Sequence, residues 1–407
     1  MNRPLRRFAV VLAGGGARGA YEAGVLRFVM HELSRRSGEI ISPRIVSGTS
    51  AGALNGTYVA ACAGRPEGAL ELARIWQTLS IDRIYKFEAM DLLRSPLRLL
   101  GRQLGRELSL VDASPLHQLV RDEMPWADLS AALDRGLLEA IVVAATEVAA
   151  GRCYYFMDRR VPGPPIELPY PEERVIPTRL RPEHTLASAA IPFLFPPVNI
   201  GGEAFQDGGL RQNTPLTPAL RLGARRLLVV GVKRALSERP ATQTVAPENL
   251  SLTFLMGKAL NALMLDPIEH ELHRVERTNQ LLAWGVETYG PDFLVRINAA
   301  LNPGVASPWH PVETLFVRPS EDLGTMSAAA WRAGQVVANR PTRFLLSSIA
   351  SQEDANEADL LSYLLFDKSY TGALEALGYE DAARREEALA RFLGIGEPER
   401  PDEDPPR

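Results

Sequence analysis

Residues 44–63 constrain the fold more than any other stretch. Arg44–Ser47 is a short β-branched run, Gly48-Thr49-Ser50-Ala51-Gly52 is a turn bounded by glycines, and Ala51–Ala63 is an alanine-rich helical pattern. The same grammar occurs once before: the apolar run Phe8–Leu12 enters Gly14-Gly15-Gly16-Ala17-Arg18-Gly19, which opens a helix. A strand that runs straight into a helix and is followed by another such strand calls for parallel pairing with helical crossovers. Further short apolar runs at Ala140–Ala145, Leu227–Val232, Tyr154–Phe156 and Thr314–Val317 extend the pattern. The expected fold class is therefore α/β, with a mostly parallel central sheet, helices on both faces and a C-terminal helical extension.

Between the strands the chain reads as follows. Residues 65–135 lack a strand signal and are expected to be a helical insertion between the second and third strands. Pro162–Pro182 is proline-rich and is expected to be a surface loop. Residues 250–283, with Phe254, Leu260, Leu263 and Met264 as apolar positions, read as one or two helices. From about residue 350 the chain is helical and acidic, and Gly396–Arg407 has the composition of a disordered tail. The expected division is a catalytic domain over 1–320 and a helical extension over 321–407, with no internal repeats.

Composition excludes several function classes. The 407 residues carry 45 Lys+Arg against 49 Asp+Glu, a formal net charge of −4, which disfavours a nucleic-acid binder. Four of the cations are lysines and 41 are arginines. Hydrophobic residues at 46% and charged residues at 23% fit a globular chain with a large core. Cys62 and Cys153 are too few for a disulfide framework or a four-cysteine zinc site and read as buried thiols. Among six scattered histidines only His270 and His273 are close, at helical i,i+3 spacing, and an exposed helix face explains them as well as a metal does. No cofactor and no metal are expected. The N-terminal Arg3, Arg6 and Arg7 before Phe8–Ala13 resemble a signal peptide, but the run is short and ends in glycines. No run approaches the roughly 18–20 apolar residues of a membrane span. A cytoplasmic protein, with peripheral contact to a membrane, is expected.

The glycine loop admits two chemistries. Gly14, Gly16 and Gly19 satisfy the dinucleotide fingerprint, and the same N–H groups at a helix start can hold an oxyanion. Gly48-Thr49-Ser50-Ala51-Gly52 favours the second, because G-x-S-x-G at a strand–helix junction is the context of a nucleophile elbow. A side chain at 48 or 52 would clash in that turn, and the helix behind Ser50 presents its positive end. A serine needs a base, and neither His184 nor His310 lies in a convincing motif. Asp207, before Gly208 and Gly209, is the better candidate; an ordinary Asp-Gly hairpin turn is the alternative.

Taken together, Gly14–Gly19, Gly48–Gly52 and Asp207–Gly209, in that order, resemble the patatin-like phospholipase family, whose pattern is G-G-G-x-R-G, G-x-S-x-G and D-G-G or D-G-A. Ala187–Val198, Asn213–Leu216, Leu222–Ala224 and Ala145-Thr146-Glu147 resemble the family's supporting stretches. The likeness spans about residues 6–235, and more loosely up to about 320. It implies a Ser50–Asp207 dyad without histidine, an acyl-enzyme, a lipid or phospholipid substrate, and an oxyanion loop over Gly14, Gly15, Gly16, Ala17, Arg18 and Gly19. Gly15 and Gly16 N–H groups would hold the oxyanion, and Arg18 would shape the loop or supply charge. A catalytically weak scaffold that binds a partner, and a nucleotide-binding protein using the glycine loop, stand as alternatives. Arg94, Arg98, Arg102 and Arg106 recur every four residues opposite Leu97, Leu100, Leu104 and Leu108. Such a stripe fits a lipid-facing lid or a packed helix with a solvated basic face. Oligomeric state is left open.

Overall fold

The structure is a computed structural model that describes residues 7–87, 111–163, 165–166, 168, 170–234, 268–301, 309–352 and 359–396. The basic stripe at 94–106, the apolar positions at 254–264 and the tail from 397 lie outside the described residues.

The elements follow in chain order. Strand β1 (Ala9–Leu12) leads into helix α1 (Gly19–Leu26), and β2 (Ile45–Thr49) into α2 (Ala51–Ala61). The insertion contributes α3 (Glu67–Thr78), α4 (Ser114–Glu123) and α5 (Trp126–Asp134). Then come β3 (Ala140–Glu147), β4 (Cys153–Arg159), β5 (Glu173–Pro177), α6 (Pro182–Ser188), β6 (Val198–Ile200), β7 (Glu203–Asp207), α7 (Leu216–Arg221) and β8 (Arg226–Val230). The second half holds α8 (Ile268–Tyr289), α9 (Phe293–Leu301), β9 (Glu313–Val317), α10 (Leu323–Arg332), α11 (Arg340–Gln352), α12 (Asp359–Leu364), α13 (Lys368–Ala383) and α14 (Glu386–Leu393).

The main path of the sheet runs β5-β4-β3-β2-β1-β8-β9. Strands β3, β2, β1, β8 and β9 are mutually parallel, β4 is antiparallel to β3, and β5 is parallel to β4. Both faces of β1, β2, β3 and nearly all of β8 are buried, which is why they read as continuous apolar runs, whereas edge strand β9 is half exposed. Val10 and Leu12 point into a layer with α1, α3 and the C-terminal helices, whereas Ala9 and Val11 pack with α7 and the start of α8. The mostly parallel sheet flanked by helices is the fold class the sequence called for.

One expectation changes. The stretch 162–182 is not all loop, because Glu173–Pro177 forms β5 at the sheet edge. Only Val175 and Ile176 are aliphatic there, Pro171 precedes the strand and Pro177 ends it; an edge position needs neither two-sided burial nor every N–H. Likewise Asp207 is not in a hairpin turn. The turn is Gly201-Gly202, at φ +62° and +92°, and it joins β6 to β7; Asp207 ends β7.

The C-terminal helices close the structure on α1. A Cβ on Gly24 would lie 1.9 Å from the carbonyl oxygen of Glu375, and one on Gly378 would lie 2.0 Å from that of Tyr21. Helices α1 and α13 therefore cross backbone against backbone, and the Tyr21 hydroxyl donates to Asp381 at 3.0 Å. Among the described residues no helix is long and apolar enough to cross a membrane, and no cluster of His, Cys, Asp or Glu could hold a metal ion. Both cysteines are buried free thiols.

Candidate active site

Register places the two key side chains side by side. Thr49, the last residue of β2, pairs with Ala144 of β3. Beyond that point the chain leaves the sheet at Ser50, and β7 takes the vacated place beside β3, pairing Asp207 with Ala145. Strand β4 occupies the opposite side of β3, so Ser50 and Asp207 share one edge.

Ser50 has φ +54° and ψ −125°, a backbone conformation costly for a residue with a Cβ. The turn survives because its neighbours are over-determined. A Cβ on Gly48 would sit 2.4 Å from the Gly52 carbonyl oxygen, and one on Gly52 would sit 2.6 Å from those of Leu12 and Ala13. The Ser50 N–H donates to Ser188 Oγ at 2.8 Å, Ser47 Oγ donates to Pro215 O at 2.8 Å, and Thr49 Oγ1 donates to Gln212 O at 2.9 Å. Residues 212–215 also hold the glycine loop: the Gly14 N–H donates to Asn213 O at 3.0 Å, and Asn213 Nδ2 donates to Gly14 O at 3.1 Å. Sequence reasoning assigned no role to Ser188 or Asn213, although both lie in stretches that it marked.

The loop's N–H groups are not equivalent. Those of Gly14 and Arg18 donate to Asn213 O and Gly15 O, and that of Gly19 donates within its own turn. Gly15, Gly16 and Ala17 carry the N–H groups outside these bonds, and Gly16 and Ala51 line the same cavity as Ser50. The Arg18 guanidinium turns the other way. Its Nε donates to Ser362 Oγ at 2.8 Å, its NH2 pairs with Asp359 at 3.1 Å, and it lies 4.3 Å from the centre of the Tyr363 ring. None of these contacts reaches Ser50 or Asp207, so Arg18 is placed as a structural anchor of the loop.

Asp207 is fully buried. Its Oδ1 accepts from the Gly209 N–H at 2.8 Å, while Oδ2 has no fully formed hydrogen bond to any described residue. Burial pushes its pKa up to about 7, opposed by the Ser50 hydroxyl and by the Gly209 N–H. A carboxylate of ordinary pKa is a weak base toward a hydroxyl; one near 7 is suited to general-base work around neutral pH. No histidine among the described residues bonds to either group. His184 Nδ1 accepts from the Arg181 N–H at 3.0 Å, and burial holds its pKa down. His310 Nδ1 lies 3.1 Å from Pro311 O.

Ser50 stands in the wall of an apolar cavity. Its other walls are Leu54 of α2, Leu72 and Ile75 of α3, Leu116 and Val120 of α4, and Phe195. The insertion between β2 and β3 thus builds most of a greasy slot over the serine. A polar brace stands behind it: Trp76 Nε1 donates to Asn55 Oδ1 at 2.8 Å, and Asn55 Nδ2 donates to Gly19 O and to Glu22 Oε2, both at 2.9 Å.

Among solved structures, VipD from Legionella pneumophila is similar at 13% identity and a TM-score of 0.38, with 95% of this chain and 68% of that chain covered. The structure of the ExoU–SpcU complex from the type III secretion system of Pseudomonas aeruginosa gives 16% identity and a TM-score of 0.24, over 98% of this chain and 81% of that chain. At these scores neither likeness carries an argument. No curated protein sequence matches the chain. The family model described as patatin-like phospholipase matches residues 10–220, more than half of the 407 residues and the whole span from the glycine loop through Ser50 to Asp207, so the chain belongs to the patatin-like phospholipase family.

Proposed function

We propose that the protein is a lipid acyl hydrolase that cleaves carboxylic esters through Ser50 and Asp207. Ser50 Oγ attacks the ester carbonyl while Asp207 Oδ2 takes the hydroxyl proton. The tetrahedral oxyanion is held by the Gly15 and Gly16 N–H groups and the N-terminal end of α2. Collapse expels the alcohol, which receives the proton from Asp207 and leaves an acyl-Ser50 ester. Water enters, Asp207 takes one of its protons as the oxygen attacks the acyl carbon, and collapse releases the fatty acid as Ser50 Oγ takes that proton from Asp207, restoring both groups.

The observation that carries this reading is a strained serine beside a buried carboxyl of pKa about 7, set in the wall of an apolar cavity. Among the described residues the cavity walls are mostly apolar, as an acyl chain requires, and their one charged side chain, Glu123, is an anion that would repel a nucleotide phosphate. A fluorophosphonate probe tests it: covalent labelling at Ser50 that disappears in Ser50→Ala and falls sharply in Asp207→Asn is expected. Release of fatty acid from at least one phospholipid or neutral lipid in a panel should accompany it. An unlabelled wild-type protein, or labelling that survives Ser50→Ala, overturns the reading.

A further inference from the structure

Helix α12 belongs to the active site in space although it lies far beyond the catalytic motifs in sequence. Arg18 is the one charged side chain of the glycine loop, and it is buried. An isolated buried guanidinium is costly, so its partners matter more than its presence. The side chains that touch the guanidinium come from α12: Ser362 on Nε, Asp359 on NH2, and the face of the Tyr363 ring. Burial works against the charge most strongly, and Tyr363, Asp359, Tyr370 and Asp322 together more than offset it, so the guanidinium stays protonated. Asp359 has only 14% of its side chain exposed, which makes the pair an inward anchor rather than a surface ion pair.

A second contact bears on the backbone that would hold the oxyanion. Gly16 sits at φ +56°, and a Cβ there would lie 2.5 Å from the carbonyl oxygen of Tyr363. The loop therefore rests directly on α12 at the residue proposed to donate. A third contact comes two residues after the helix. Phe366 lines the acyl cavity and stacks on Trp76, their ring centres 6.3 Å apart. The Tyr85 hydroxyl fixes the same turn by donating to Leu364 O at 2.8 Å.

We propose that α12 positions the oxyanion loop: Asp359, Ser362 and Tyr363 set the loop through Arg18 and Gly16, while Phe366 completes the acyl slot. Asp359, Ser362 and Tyr363 are positioning residues, since none touches Ser50 or Asp207. The inference rests on the hydrolase reading above and adds that activity depends on a segment outside the matched residues 10–220.

The test compares Ser362→Ala and Asp359→Asn with wild type in the full chain. Both remove a tether of Arg18, and Ser362→Ala does so without leaving a buried charge unpaired. A control, Leu393→Ala, weakens the same C-terminal helices away from the loop. Four quantities are read: kcat and KM on a water-soluble short-chain ester, the rate of fluorophosphonate labelling of Ser50, and the thermal midpoint. Losing one oxyanion donor outright costs about 10²–10³ in kcat. A displaced loop should therefore lower kcat and the labelling rate together by about tenfold, with KM within about twofold. Leu393→Ala should lower the midpoint and leave kcat of the folded protein unchanged. Arg18→Lys, which keeps the charge and loses the fork, should fall in kcat as well. If Ser362→Ala and Asp359→Asn fold and keep kcat and labelling within about twofold of wild type, the positioning role is wrong. If Asp359→Asn does not fold, Ser362→Ala decides alone. A wild-type protein that takes no label defeats the hydrolase reading instead, so the two failures are distinguishable.

Discussion

Replacing Asp207 by asparagine should destroy the activity and stabilise the protein, and the stabilisation should depend on pH in a calculable way. The carboxyl is raised from 3.8 to about 7 by burial, which no described donor to Oδ2 fully offsets. A group whose folded pKa lies above its unfolded value favours the folded state fully below the unfolded pKa. That contribution fades as pH rises and is gone once pH passes about 7. A shift of about three units corresponds to roughly 4 kcal/mol over the full window, of which about 3 kcal/mol falls between pH 5 and pH 8.5. Asparagine keeps the shape and the bond from the Gly209 N–H but does not ionise. The difference in unfolding free energy, asparagine minus aspartate, should therefore grow by about 3 kcal/mol between pH 5 and pH 8.5. Every other titrating group is common to both proteins and cancels. Urea unfolding at the two pH values, with equal slopes for both proteins, measures the difference. Parallel pH dependences would refute the reasoning, since they would mean that Asp207 ionises at an ordinary pKa and is not desolvated. The same variant should lose at least about 10² in kcat, as befits removal of a general base.

Other outcomes follow from the same geometry. Turnover of a soluble ester should rise with pH through an apparent pKa near 7 and level off above it, because only ionised Asp207 accepts the Ser50 proton; a profile flat from pH 5.5 to 8 in kcat/KM would exclude Asp207 as the base. Gly52→Ala should lower both the thermal midpoint and labelling of Ser50, since the new methyl would lie 2.6 Å from the Leu12 and Ala13 carbonyl oxygens; wild-type labelling would show that the elbow tolerates it. Leu116→Trp, in the cavity wall, should lower turnover of long-chain p-nitrophenyl esters at least about tenfold more than that of the acetate. An unchanged ratio would place the acyl chain elsewhere. Trp76→Phe removes the donor to Asn55 and should cost about 1–3 kcal/mol in urea unfolding, and a smaller loss would mean that Asn55 finds another partner.

What could be read from the sequence was local. The strands beneath the two glycine turns are buried on both faces and announce themselves as apolar runs, and Gly48 and Gly52 flank Ser50 for the steric reason the turn demands. Strand β5 stayed hidden because a half-buried edge strand with only Val175 and Ile176 as aliphatic residues has little apolar signal to offer. Ser188 and Asn213 look like any small polar residues until the fold brings them to the Ser50 and Gly14 backbones. Arg18 was visible as part of a motif, but its environment was not, because Asp359 and Ser362 are distant in the chain and belong to a stretch with no pattern of its own. The cavity walls were equally silent: leucines and isoleucines of α3 and α4 alternate as they would on any amphipathic helix.

The contact between Arg18 and Ser362 spans 344 residues. During synthesis at roughly 5–20 residues per second, that interval lasts on the order of 20–70 s. Over its last 155 residues, from Asp207 to Ser362, the elbow and its aspartate have already been made, yet the glycine loop still lacks its support and α1 its antiparallel partner. If the proposed roles hold, a nascent or prematurely terminated chain carries Ser50 without the support that α12 gives the glycine loop. On the hydrolase reading proposed above, the protein would in this way acquire its reactivity late, once translation has passed α12 and α13.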